Sequence, residues 1–533
     1  MAIADIHLLP TDQIAGMAVY VHALDTPAGF PRELSSKYAW DFGDPASKYN
    51  RLPGWNAAHI YAQAGSYSIT LKITDESGKS ADFHQTVEIA PAHRAVYYIS
   101  AAGDDANDGL SPQHPIRSLT RMTALMADHR EFLFHRGDTF SQTATLGIAA
   151  SDVGIGAYPN DETERPHLVW SGPRREVSMI QISRAASNVR IGDLVFDSVF
   201  TSDTSRENLP NAIDPAGTNV AIARCRFLNV ADAVSCELAP TGVLVQDCDA
   251  PQVDKSGLIL PIDMPDLTSP GVNGLRAYFL WGQGSDIVLL GNRVANSTRE
   301  HCVRIGGASR VMLAYNIFQN LDRTGVDKDD IAKTSLAAQI GDHLYAAANE
   351  FRNGVVEIGP TNAAAYVNDP TQKAARFDWA VFENNTLRVP MVFDGGSAHV
   401  RVEDNTSTIE RDDAYFVNGY DTNYHRGVED VTFIHNSARL NGPSGCFLCT
   451  TGKAQGLKLS GNTFTAANLK TGYNIGVLVI GEADLSSFDS ITANHWPLDG
   501  RFWFDGAAGI AARRIGPAEW LQQPKVTGDQ FGP

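Results

Sequence analysis

A short unit recurs along most of this chain, and it restricts the possible folds more than any other feature. Two alternating apolar residues, a polar turn residue and a further apolar residue come back again and again. The unit appears at Val189 to Phe196, Val220 to Phe227, Ile287 to Val294 and Val311 to Phe318. Further copies end at Asn349, Asn385, Asn436, Asn462 and Asn494, each with its two following residues. Turn asparagines are separated by 24 residues from Asn292 to Asn316, 33 to Asn349, 36 to Asn385, and 26 from Asn436 to Asn462. A minimum in the low twenties with variable excess describes a three-strand coil whose loops absorb insertions. Asn suits the bend because it tolerates left-handed backbone, and stacked Asn side chains can hydrogen-bond along a ladder. A β-propeller would keep a longer and more even period, and few helical patterns intervene to support a βαβ fold.

At 533 residues the chain exceeds one ordinary compact core, as a solenoid with an added domain would. Its net charge of −18 makes nucleic acid or an anionic membrane a poor partner. An acidic polysaccharide stays open, because a local basic cleft can sit on an acidic protein. No run of 18 apolar residues occurs, which argues against a membrane span. Six cysteines are too few for a disulfide scaffold, and Cys446 with Cys449 is a lone CxxC without a second pair. Cys225 and Cys248 lie 23 apart, close to one coil, so they are expected to stack inside, with or without a disulfide.

Two resemblances organise the chain. Tyr38 to Asp44, with Trp40, Phe42 and Gly43, followed by His59-Ile60-Tyr61 and Gly65 to Asp75, resembles the PKD-type immunoglobulin-like domain. The match covers about 80 residues. Trp40 and Phe42 fall on one strand face as core, while Asp41 and Asp44 turn the chain. Such domains act as spacers or carbohydrate-contacting modules, and the spacer role is the one carried over. Tyr97 to Pro112, and later Phe132 to Phe140, resemble the opening of right-handed parallel β-helices of the pectate-lyase-like superfamily, with Ile116 to Met126 as the helix capping the first coil. The expected architecture is therefore all-β: a PKD-like β-sandwich over 1–92 and a right-handed parallel β-helix with caps over 95–533. Trp496, Trp503 and Trp520 fall where a C-terminal cap is needed. MAIADIHLLP lacks the basic and apolar regions of a signal peptide. The expectation is a secreted or periplasmic protein whose leader is absent from this sequence.

Strand phase locates the chemistry. Side chains of neighbouring coils stack about 4.8 Å apart, so distant residues form rows. With Val303 and Ile305 inward, Arg304 faces out, near Glu300 and His301; with Leu336 and Ile340 inward, Lys333 faces out. Glu357 and Asp394 face out on later coils, and Arg276 with Tyr278 or Trp281 precedes them. Lys333, Arg304 and His301 are the candidate catalytic residues, and Arg276, Tyr278, Glu357 and Asp394 the candidate substrate-binding ones. Such cations suit β-elimination on a uronate polymer: one neutralises the carboxylate, another takes the α-proton. Exposed Arg and Lys are otherwise ordinarily solvated or paired. Asp322, Asp327, Asp329 and Asp330 fit three readings: a calcium site (Asp327, Asp329 and Asp330 as ligands), a glycosidase carboxylate pair, or an acidic loop. They lack the glycine of an EF-hand. His425, Arg426 and His435 lie on a later coil, His435 at a turn position.

The reading is a secreted polysaccharide lyase that needs no cofactor except a calcium ion if the Asp loop binds one. Its partner is a polysaccharide, not nucleic acid or a membrane; oligomeric state is open. The alternatives are a glycoside hydrolase using a carboxylate pair, or a non-catalytic carbohydrate-binding or surface-structural protein.

Overall fold

The computed structural model describes residues 6–10, 12–24, 33–161, 163–173, 177–198, 209–252, 259–260, 277–295, 297, 300–320, 334–360, 376–410, 413–419, 427–452, 454–467, 475–480, 482, 484–505 and 512–532. It divides into two compact units, residues 1–303 with 308–333 and residues 304–307 with 334–533.

The first unit opens with two antiparallel sheets. One orders His7–Leu9, Ala18–His22 and Asn56–Ile60; the other orders Arg51–Pro53, Ser36–Asp41, Gly65–Asp75 and Ser80–Ile89. Trp40 and Phe42 are buried between them with Trp55, Tyr61 and Leu71. Asp41 accepts from the Gly43 amide (3.0 Å) and Arg51 Nε (2.8 Å), closing the turn. Gly43 (φ 69°) leaves no room for a side chain there, since a Cβ would stand 2.7 Å from the Ser68 carbonyl oxygen.

The strand Ala18–His22 is buried along its whole length, because coils of the same unit cover its second face. Tyr20 donates to the Val220 carbonyl (2.9 Å), Tyr49 to Asp247 (2.7 Å) and Asn56 to the Arg310 carbonyl (2.9 Å). Gly242 and Gly291 are the coil positions facing these rings: a Cβ at Gly242 would meet Tyr20, and one at Gly291 would collide with the Tyr49 hydroxyl. The spacer role implied by the resemblance is revised accordingly. This sandwich is seated on the coils.

Those coils begin with Ala95–Ile99 and the helix Leu119–Ala124, shorter than the expected stretch, whose N-cap Ser118 accepts from the Arg121 amide (3.0 Å). Each coil then contributes one strand to each of three parallel sheets. In the second sheet Val153, Val189, Val220, Val243 and Ile287 stand in register; in the third, Phe140, Leu168, Phe196 and Phe227 do. Identical inward positions one coil apart thus form continuous apolar columns, which is why the sequence repeats. The second unit repeats the plan, with Leu344, Ala380, Val400 and Val431 in register. Returning to a parallel neighbour in this way makes a right-handed parallel β-helix. Its last coil is closed by Trp496, Trp520 and Phe502; Phe502 stacks on Trp520 at 3.7 Å, and both indoles donate to Asp529 Oδ2 (2.7 and 2.9 Å). Among the described residues, no helix is long and apolar enough to cross a membrane.

The turn asparagines are buried and form the expected ladder. Asn292 bonds to Asn316 in the first unit; in the second, Asn349, Asn385, Asn405, Asn436, Asn462 and Asn494 run on to Asp529. The left-handed backbone assigned to them belongs one residue earlier, to Tyr315, Ala348, Asn384, Asp404, His435 and Ala493 among others. Asn is selected for its side-chain bonds and not for its φ. Cys225 and Cys248 occupy the same place on earlier coils as free thiols, Cys248 Sγ accepting from the Cys225 amide at 3.3 Å.

Candidate functional site: a carboxyl pair on the first sheet

On the first sheet of the second unit, Val355–Ile358, Met391–Asp394, Tyr415–Gly419 and Leu448–Gly452 are consecutive neighbours. Val356, Ile358, Met391, Phe393, Tyr415 and Val417 are buried, so alternation turns Glu357, Asp394 and Asn418 outward. Asp394, Asn418 and Thr451 stand in register on successive coils. Asn418 Nδ2 donates to Asp394 Oδ1 (2.8 Å), and Thr451 Oγ1 donates to Asn418 Oδ1 (3.2 Å). The Thr451 hydroxyl thereby fixes which way the Asn418 amide points, and so the Asp394 carboxyl.

The Glu357 side chain interacts with that of Asp394, so two carboxyl groups meet on this face. Burial raises the Asp394 pKa above the ordinary carboxylate value, while the bonds from Glu357 and Asn418 pull it back down. A half-buried, oriented carboxyl whose pKa is raised, with a second carboxyl beside it, is suited to act as a general acid.

Arg304 belongs to this unit and bonds through Nε to Gln339 Oε1 (2.9 Å). Between Gln339 and Asp394 on this face the intervening coil presents Gly359, next after Ile358, which is paired with Phe393. A Cβ at Gly359 (φ 103°) would lie 2.7 Å from the Asp394 carbonyl oxygen. Gly359 thus packs closely against the Asp394 backbone and places no side chain between Asp394 and Gln339 with its Arg304 partner. Val303, Ile305 and Leu336 are buried as alternation requires; Ile340 is half-buried where its strand bends between sheets.

The first unit carries its own perturbed carboxyl. Asp214, in register with Gln181, faces out from Asn211–Pro215; burial pushes its pKa up to about 6, with the Glu237 charge adding to the rise. Its Oδ1 is buried without a hydrogen-bond partner. Here too Tyr278 is buried, stacking near His301 (6.2 Å) and against Trp281 (4.9 Å), so Trp281 is the one of the two that faces out.

Of the residues expected from the sequence, Glu357 and Asp394 are brought together and Arg304 is joined to Gln339. Arg276, Lys333, Asp322, Asp327, Asp329, Asp330, His425 and Arg426 lie outside the described residues. His435 is a turn residue with positive φ, 3.9 Å from Asp404. Asn418, Thr451, Gly359 and Asp214 were not singled out. For Asn418 and Asp214 the signal was present in Tyr415 to Asn418 and Ala212 to Pro215, where the same alternation puts each outward.

The PKD domain family matches residues 28–90. A pre-pro-metalloprotease, PrtV, from Vibrio cholerae is 40% identical over 52 residues, 10% of this chain and 5% of the relative. The chain thus spans about 5% of that relative's length. Among solved structures, the family 28 exopolygalacturonase of Yersinia enterocolitica is similar at 12% identity and TM-score 0.39, over 90% of this chain and 98% of that one. A pectate lyase is similar at 13% identity and TM-score 0.36, over 70% and 78%. The surface adhesin PfbA of Streptococcus pneumoniae is similar at 11% and TM-score 0.38, over 75% and 88%. At this level of similarity none of the three bears on a reaction in this chain. Residues 28–90 are a PKD domain.

Proposed function

We propose that this protein is a secreted enzyme that hydrolyses glycosidic bonds in an acidic polysaccharide. The carrying observation is the Glu357–Asp394 pair, in which burial raises the Asp394 pKa and Asn418 holds its carboxyl in place. Cleaving a glycosidic bond requires protonation of the departing oxygen, and the pair supplies that proton. The water consumed adds its hydroxyl to the anomeric carbon and returns a proton to the pair, so the site is regenerated. Arg304, held by Gln339, supplies a guanidinium for a sugar carboxylate. Elimination draws on cations instead, and Lys333, its candidate base, lies outside the described residues.

The test uses polygalacturonate and alginate with the full chain. Hydrolysis releases reducing ends with no ultraviolet-absorbing unsaturated product. Glu357→Gln and Asp394→Asn should each lower turnover about 10²- to 10⁴-fold with the fold intact. Unsaturated product, surviving in both variants, would overturn this reading in favour of a lyase.

A further inference from the structure

A second site lies in the first unit, where the PKD domain meets the third sheet. A cleft of about 880 Å³ opens there, lined on one side by Lys48 and Tyr49 and on the other by coil residues. Its floor is an outward row of that sheet, with Arg226, Asp249, Arg293 and Ile317 in register on successive coils.

Among the described residues that line this cleft, the charges do not balance: Lys48, Arg165, Arg226 and Arg293 face Asp247 and Asp249, four cations to two anions, on a chain whose net charge is −18. Both anions are committed. Asp249 accepts from Arg165 (3.0 Å) with one oxygen and from Arg226 (2.5 Å) with the other. Asp247 accepts from Lys48 (2.6 Å) and Tyr49 (2.7 Å) through Oδ1. Among the described residues, no carboxylate pairs with Arg293, which is exposed. A guanidinium left over beside neutralised neighbours matches a carboxylate brought from outside.

An aromatic plate lies beside it. Tyr49 and Tyr315 stack at 6.2 Å and 25°. Tyr315 is 44% exposed and holds a left-handed backbone (φ 59°), which a bulky side chain rarely adopts. Gly291, one coil earlier in the same turn, is what lets the Tyr49 hydroxyl reach Asp247. The sandwich and the coils therefore build this plate jointly. An exposed ring next to this exposed guanidinium presents an apolar surface to the C–H face of a pyranose and a fork to its carboxylate.

We propose that this cleft is a non-catalytic binding site for a uronate-bearing sugar chain, with Arg293 taking a carboxylate and Tyr315 stacking on a sugar ring. It rests on none of the residues of the carboxyl pair, and it stands if that pair proves to catalyse a different reaction.

Titration calorimetry of the full chain with a galacturonate oligomer, and with a neutral cello-oligomer as control, tests it. Arg293→Ala and Tyr315→Ala should each weaken galacturonate binding about 10- to 100-fold, and high salt should weaken it in the wild type. Both positions are on the surface, so circular dichroism should show unchanged folding. Arg293→Lys, which keeps the charge and loses the fork, should fall between Ala and wild type. Wild-type affinity in both Ala variants overturns the proposal. So does binding abolished by Glu357→Gln and untouched by Arg293→Ala, which would place all of it at the carboxyl pair. Equal affinity for the neutral oligomer also overturns it.

Discussion

Asp214 and Asp394 are aspartates that alternation sends to the outer face of a sheet, yet neighbouring coils bury them enough to resist ionisation. For Asp214 the consequence is testable without a substrate. Its pKa rises from 3.8 to about 6 on folding, so the folded state holds the proton more tightly than the unfolded chain. Below the unfolded value both states are protonated and nothing is lost. As pH climbs from about 4 through 6, the folded state must give up a proton it favours, and stability falls. Asp214→Asn removes that penalty. Its melting temperature should exceed that of wild type at pH 7, and the advantage should vanish near pH 4. A difference independent of pH would mean that Asp214 ionises normally. At Asp394 the rise has the same origin, and both carboxyls accept a side-chain bond, Asp394 from Asn418 and Asp214 from Gln181. Asp214 in addition leaves its Oδ1 buried without a partner, which is a cost.

The asparagine ladder is the element that ties one coil to the next. Asn405 Oδ1 accepts from both the backbone amide and Nδ2 of Asn385, at 2.8 and 2.9 Å, while its own Nδ2 donates to Asn436 and to the Phe382 carbonyl. Every polar atom of a fully buried side chain is satisfied, so the ladder turns an otherwise costly burial into a register lock. Replacing Asn405 by Ala should leave two donors of Asn385 without an acceptor, at about 1–3 kcal/mol for each buried group. A drop in the thermal transition of the second unit checks this, and an unchanged transition would show that water replaces the ladder. At Cys225 and Cys248 the same turn is made with thiols, which bury well but bond weakly. The coils of the first unit that precede Asn292 therefore rely more on their apolar columns.

At the scale of the molecule, the PKD domain is an integral part of the first unit. Tyr20 contributes a buried hydroxyl to the Val220 carbonyl, and glycines stand at the two coil positions where sandwich rings approach. Residues 94–533 expressed alone should consequently melt at a lower temperature and bind more hydrophobic dye than the full chain, because the coil face under Ala18–His22 becomes exposed. Equal melting and dye binding would restore the spacer role.

Periodicity alone established the coils, because a solenoid needs the same apolar residues at the same places in every turn. The Trp40 and Tyr67 segments marked the sandwich through their resemblance to the PKD domain. Strand phase also made Arg304, Glu357 and Asp394 legible as outward residues, since alternation is a local property of a strand. The tertiary structure decided the rest. Loop insertions of variable length separate coils that touch, so no spacing in the chain shows that Glu357 meets Asp394 or that Arg304 meets Gln339. Nor can Gly291 reveal from its neighbours that it makes room for Tyr49, nearly half the chain away. Alternation and repetition are written residue by residue, whereas a carboxyl pair and a seated ring exist only once coils are stacked and the sandwich is laid against them.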